Sequence, residues 1–186
     1  MGKNPKLILK LSVLLLVSAL LISACAPTTI TPSPAEGSTP TSGAPDWGHQ
    51  TKTSGCAAQG VNPDPACSPG DIFTNVTKDD VCKPGYASSV RNVTDSVKNK
   101  VYAEYGIASH QPGQYEVDHF VSLELGGSND ISNLWPEPAK PTPGFHEKDK
   151  VENYLHDQVC SGAMTLLQAQ VQIATNWLEV YNNLPK

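Results

Sequence analysis

Residues Tyr115 to Asp149 read YEVDHFVSLELGGSNDISNLWPEPAKPTPGFHEKD, and the order of signals in this stretch decides the fold. Tyr115 and Val117, continuing toward Phe120 or Val121, mark a first strand, and Ile131 through Trp135 a second, with Gly126 and Gly127 in the loop between them. Pro136 is expected to stop the pairing. A proline-rich loop from Pro136 to Gly144 then leads into a helix from about His146 to Val159, with Val151, Tyr154, Leu155 and Val159 as its buried stripe. Asp118, His119, Asn133 and His146 are threaded along this strand, strand, helix order. Those residue types suit one kind of chemistry: a carboxylate and an imidazole can hold a divalent cation while a second imidazole activates water.

Working outward, Val97, Val101, Tyr102 and Tyr105 share one helical face, with Thr94 placed to cap the start and Gly106 to end the helix. Before it, residues 67 to 93 carry turn signals without periodicity and predict a loop-rich cap. At the far end Thr165 and Gln168 form a capping-box pair, and Leu166, Ala169, Ile173, Trp177 and Val180 run along one face of a last helix. Trp177 and Tyr181 read as packing residues. The expected architecture is a small α+β domain, a hairpin and helix preceded by one helix and closed by a C-terminal amphipathic one.

The N-terminus reads as an export signal. Lys3, Lys6 and Lys10 precede an apolar run from Leu11 to Leu21, which is short for a membrane span of about 20 residues. Leu21 to Cys25, LISAC, resembles a bacterial lipobox, in which the cysteine becomes the lipidated first residue of the mature protein. A simple secretory cleavage site is the alternative. Residues 1–25 are thus a leader, 26–55 a Thr/Ser/Pro-rich tether with little to bury, and 56–186 one globular domain. The domain is expected to face the periplasm or the exterior from a lipid anchor in the cell envelope, as a monomer.

Removal of the leader with its three lysines leaves 10 basic residues against 18 acidic ones, a net charge of −8. Such a chain is a poor general polyanion binder, so nucleic-acid recognition would depend on a local basic patch and bound metal. Cys56, Cys67, Cys82 and Cys160 remain after Cys25, an even number in an exported chain, and predict two disulfides in one of three pairings. A zinc site is the competing reading, weakened by the lack of any C-x-x-C pair.

The words CSPG at Cys67, VCKPGY followed by SVR, VYAEYG, YEVDHF, LELGGSND, NLWPEP, EKDKVENYL, VCSG and the pair Ala169–Gln170 recur in an order that resembles a family of secreted bacterial HNH-type endonuclease domains. The resemblance covers roughly residues 64 to 181 and implies a ββα-metal core. It implies Asp118 as metal ligand, His119 as general base and Asn133, fourteen residues later, as the amide that orients the histidine loop. Asp118 and His119 would face opposite ways on a regular strand, so the strand should end or bend at the pair. His146 takes the position of the last metal ligand, with Asp149 one turn on as its rival. Arg91 and Lys148 are candidates for phosphate contacts, each equally suited to an ion pair. The implied cation is Mg or Mn, with Zn possible.

The activity expected from that resemblance is metal-dependent hydrolysis of phosphodiester bonds with little sequence preference, in DNA in the first place and with RNA as the alternative substrate. A noncatalytic surface lipoprotein using the same scaffold for metal, ligand or partner binding is the reading from a different class. No GxSxG, no phosphate-cradling glycine loop and no HExxH helix is present, so serine hydrolases, nucleotide-binding enzymes and zinc proteases lack support.

Overall fold

A computed structural model describes residues 45–185; the leader, the lipidation candidate Cys25 and the tether up to residue 44 lie outside the described residues. In chain order the helices and strands are α1 (Lys78–Val81), α2 (Tyr86–Val90), α3 (Asp95–Glu104), β1 (Tyr115–His119), β2 (Leu134–Pro138), α4 (Phe145–Ser161) and α5 (Leu166–Asn182). Two 3-10 turns, Leu123–Leu125 and Ile131–Asn133, sit in the hairpin loop. The architecture is mixed: a two-stranded sheet among helices, braced by Cys56–Cys67 and Cys82–Cys160. Both disulfides belong to an oxidising environment. Among the described residues no helix is long and apolar enough to cross a membrane.

The long helices follow their apolar stripes. Val151, Leu155 and Val159 of α4 meet Ala169, Ile173 and Trp177 of α5, and Val81, Val121 and Leu125 complete the main core. Burial of a side chain such as Leu155 contributes about 2 kcal/mol. Thr165 caps α5 by accepting from Gln168 N while its own N–H donates to Gln168 Oε1 at 2.9 Å. Thr94 caps α3 by accepting from Val97 N. Val101 of α3 packs with Val117 and Leu134 of the hairpin to make a second, smaller core.

The hairpin departs from the expected bounds. Asp130 accepts from Ser132 N at 2.9 Å and winds Ile131–Asn133 into a 3-10 turn, so the second strand begins at Leu134 instead of Ile131. It also runs through Pro136, which pairs with Val117. Phe120 N donates to Asn133 O, and counting back in twos puts Pro136 and Pro138 at non-hydrogen-bonded positions, where a missing N–H breaks no rung. The turn-rich segment 67–93 is likewise more ordered than expected, since it contains α1 and α2.

The folded domain begins before residue 56. Trp47 packs on the main core, Gly48 N donates to Gly70 O at 2.8 Å, and the amides of Thr51 and Lys52 both donate to Ala66 O. Lys52 then pairs with Asp64 at 2.9 Å. One large ring, three backbone hydrogen bonds and this ion pair together fasten residues 47–52 to the domain.

Candidate functional site

α4 brings Lys148 and Glu152, one turn apart, to the end of β1 and the loop that follows it. Lys148 has 0% exposure. Its ammonium donates to Asp118 Oδ2 at 2.6 Å, to the His119 carbonyl at 3.0 Å and to Glu152 Oε1, and lies 4.0 Å from Glu137 Oε2. Ser122 Oγ donates to the other Glu152 oxygen at 2.7 Å. A buried lysine in this setting stays charged: burial alone would lower its pKa, but Asp118, Glu152 and Glu137 together carry it well above the usual value. The expected phosphate contact by Lys148 is therefore not available, because the ammonium is enclosed by carboxylates and spent on them.

The carboxylates divide unequally around that one charge. Burial would raise Asp118, yet the adjacent ammonium holds it below the ordinary range. Burial pushes Glu152 up to about 7 against the pull of Lys148. Glu137 is raised well above the usual value by burial, with Asp118's charge and a hydrogen bond shared with the Asp118 carboxyl adding to it. Of the cluster's carboxyls, Glu137 is thus pushed toward its neutral form, in which its hydroxyl would donate to Asp118.

β1 ends at His119 and the chain bends at Phe120, so the DH pair closes the strand. As successive strand residues the two side chains meet different surroundings. His119, 1% exposed, places Nε2 3.2 Å from Asn129 Oδ1. The Asn129 amide is oriented by its own bonds, Nδ2 donating to Val90 O and Oδ1 accepting from Asn92 N. An accepting Oδ1 requires the proton on Nε2, which leaves Nδ1 as a lone pair, and Nδ1 is buried without a partner. Burial lowers the imidazole pKa to about 4, with Arg91 and Lys148 contributing in the same direction. His119 is neutral at neutral pH.

Asn133 is buried and uses both ends of its amide. Oδ1 accepts from Val121 N at 2.8 Å and Asp71 N at 3.2 Å, while Nδ2 donates to Val121 O at 3.0 Å and Ser128 O at 2.8 Å. It therefore ties the chain just after His119 to the loop that carries Asn129. Gly127 lets that loop close, since a Cβ there would lie 1.8 Å from Val121 O. At the start of α4, Gly144 serves the same end: a Cβ would meet Pro138 O at 2.3 Å.

His146 is exposed on the first turn of α4, beside Phe145, and is not among the partners of Asp118. Asp149 is closer to the site electrically: desolvation raises its pKa, Asp118 raises it further, and Lys148 and His146 draw it down. Glu116 is raised by desolvation and then by Asp118 and Asp149, with Arg91 opposing. Asp118 thus acts as a like charge on both Glu116 and Asp149, but among the described residues these carboxyls do not gather three ligand atoms within 4.8 Å of one another. Arg91 is exposed at the end of α2, within electrostatic reach of both His119 and Glu116.

A softer ligand group lies elsewhere. Among the described residues, one set of three or more His, Cys, Asp or Glu brings its ligand atoms within 4.8 Å of one another: Cys82, His156 and Cys160. That set can hold a metal ion and suits zinc better than Mg or Mn. Here its two cysteines are joined as a disulfide.

Asn129, Glu137 and Glu152 were not among the residues expected at the site. Glu152 was open to detection, as the partner four residues after Lys148 on a helix. Asn129 and Glu137 give no local signal; only the paired chain brings them to the site. Searches against family models, curated proteins and solved structures return no match for this chain.

Proposed function

We propose that the domain is a metal-dependent, HNH-like endonuclease hydrolysing phosphodiester bonds, preferentially in DNA, with little dependence on sequence. We further propose that it is exported and held at the bacterial cell envelope by a lipid on Cys25. The observation that carries this reading is the state of His119: a neutral imidazole at the end of β1, its tautomer set by Asn129 and its Nδ1 lone pair uncommitted. The order β1, β2, α4 and the resemblance of the surrounding words to HNH-type domains support it.

In this mechanism Nδ1 takes a proton from the attacking water. Asn129 holds the opposite nitrogen and steadies the imidazolium that forms. The negative phosphodiester, drawn by Arg91, offsets the low proton affinity that burial imposes on His119. Asn133 keeps the histidine loop in register, and Lys148 fixes Asp118 and the His119 carbonyl. Asp118, with Asp149 or His146, would hold the cation, which when bound supplies Lewis-acid stabilisation of charge on the phosphate.

Full-length protein incubated with supercoiled plasmid DNA, and separately with RNA, in Mg or Mn should nick or cut the nucleic acid. His119→Ala should abolish cutting while leaving the circular dichroism spectrum unchanged. No cutting by wild type, or equal cutting by the variant, overturns the proposal. The net charge of −8 favours a second reading, a noncatalytic lipoprotein that binds a ligand or partner at the cell surface. Metal-dependent turnover that His119→Ala removes would exclude it.

A further inference from the structure

We infer that the Cys82–Cys160 disulfide and His156 form a redox-gated zinc site: oxidised, the two sulfurs crosslink the domain; reduced, both thiolates and the imidazole ligate one zinc ion. The inference is independent of the nuclease reading and of the hard-cation donors around Asp118.

The geometry sets this disulfide apart from Cys56–Cys67. Cys82 caps the end of α1, Cys160 lies in the last turn of α4, and His156 stands one turn earlier on the same helix. His156 Nε2 is 3.5 Å from Cys160 Sγ, and the ligand atoms of all three residues lie within 4.8 Å of one another. The two sulfurs are adjacent because they are bonded to each other; the independent observation is the imidazole of His156 standing beside the pair. Two thiolates and one imidazole are a donor set zinc favours, and three protein ligands leave a fourth position for water.

Access is also built in. All three residues are only partly buried, and Cys82 and His156 line a cavity of about 580 Å³ that also meets Tyr86, Arg91 and Glu124. A dithiol reductant and a hydrated ion can both approach through it. His156 makes one protein hydrogen bond besides the sulfur contact, Nε2 to Val81 O at 3.0 Å.

The chemistry balances. A dithiol transfers two electrons and two protons to the disulfide; the S–S bond breaks, two thiols form, and the reductant leaves as its own disulfide. Zinc binding then releases both thiol protons. If Nε2 is the ligating nitrogen, its proton moves to Nδ1 and the Val81 carbonyl gives up its donor. The metal replaces the covalent crosslink between α1 and α4, so reduction exchanges one brace for another instead of simply loosening the fold.

The test uses the full-length protein, oxidised or reduced with a phosphine that does not compete for metal, and titrated with Co²⁺ as a spectroscopic probe. The reduced protein should bind one Co²⁺ per chain with a thiolate charge-transfer band, which Zn²⁺ then displaces; the oxidised protein should show no such band. Reduced His156→Ala and His156→Asn should bind about tenfold or more weakly, and Cys82→Ser/Cys160→Ser should lose the band altogether. Folding is checked on the oxidised His156 variants, which keep the disulfide. Should the reduced metal-free protein unfold, added Zn²⁺ must restore its native circular dichroism spectrum. No thiolate band in reduced wild type, an equal band in the oxidised form, unchanged affinity in both His156 variants, or unfolding that zinc does not reverse would each overturn the inference.

Discussion

Lys148 Nζ lies 2.6 Å from Asp118 Oδ2, so the carboxylate that the DH pair contributes is bound by a buried ammonium from α4. The same ammonium donates to the carbonyl of His119, and one charge thereby holds both residues of the pair at the end of β1. Three carboxyls face that single cation, and their unequal proton affinities follow from burial, which raises all three, opposed to different degrees by that cation.

Removing the cation should therefore cost more than a surface ion pair would. Lys148→Met leaves Asp118 and Glu152 buried without compensation, and the expected loss is about 3–5 kcal/mol, read from urea unfolding at pH 7. Lys148→Met/Asp118→Asn/Glu152→Gln, which removes the charges together, should recover part of it. A loss below about 1 kcal/mol in the single variant would mean that water reaches the cluster and screens it.

Asn133→Ala deletes four hydrogen bonds at a site with 0% exposure and leaves Val121 N, Asp71 N, Val121 O and Ser128 O without that partner. Each buried orphan costs about 1–3 kcal/mol, so a loss of about 3 kcal/mol or more is expected in chemical denaturation. Asn133→Asp should not rescue it, because the carboxylate cannot donate to Val121 O or Ser128 O.

How legible these features are in the sequence depends on whether the cause is local. Thr165 and Gln168 announce α5, and Thr94 with Gly106 bounds α3, because caps act within a few residues. Pro136 misleads: proline forbids a ladder bond, but whether a bond was due there depends on the register with Val117, set across the hairpin. Lys148 reads as a surface cation until Asp118, thirty residues earlier, is placed against it. The same holds for Asn129, whose value lies entirely in meeting His119.

The pH dependence of stability should carry a histidine component of definite sign. The folded pKa of His119, about 4, is below the unfolded value of about 6.5, so between them the unfolded chain takes up a proton that the folded chain refuses. Its contribution is whole above pH 6.5 and is lost as pH falls toward 4, by about 3 kcal/mol at most. Glu152 acts oppositely: its folded value of about 7 is above the unfolded one, so its contribution is present at low pH and lost as pH rises through 7. The wild-type curve mixes the two. The difference between wild type and His119→Gln isolates the histidine, and it should move against wild type on acidification from 6.5 to 4; a flat difference would show that His119 titrates alike in both states.

The two disulfides should contribute unequally because they close loops of different size. Cys82–Cys160 spans 78 residues and Cys56–Cys67 spans 11. Loop-closure entropy gives about 4.5 kcal/mol for the longer and about 2.8 kcal/mol for the shorter. Thermal unfolding of the two double-serine variants, under metal-free conditions, should rank them in that order. A larger effect from the short loop would point to Cys56–Cys67 holding the Trp47–Lys52 segment in place by more than chain entropy.

The rivalry between His146 and Asp149 can be decided by the metal requirement of cleavage. Asp149 responds to the charge of Asp118, whereas His146 is exposed beside Phe145 and acts on Asp149. Under the nuclease reading, Asp149→Asn should raise the Mn²⁺ concentration for half-maximal cutting about tenfold or more, while His146→Ala changes it little. Arg91→Ala should weaken substrate binding at low salt and flatten its salt dependence by about one counterion, without altering the metal requirement. If His146→Ala instead raises the metal requirement and Asp149→Asn does not, the first turn of α4 must rearrange when metal binds, bringing the exposed imidazole inward to Asp118.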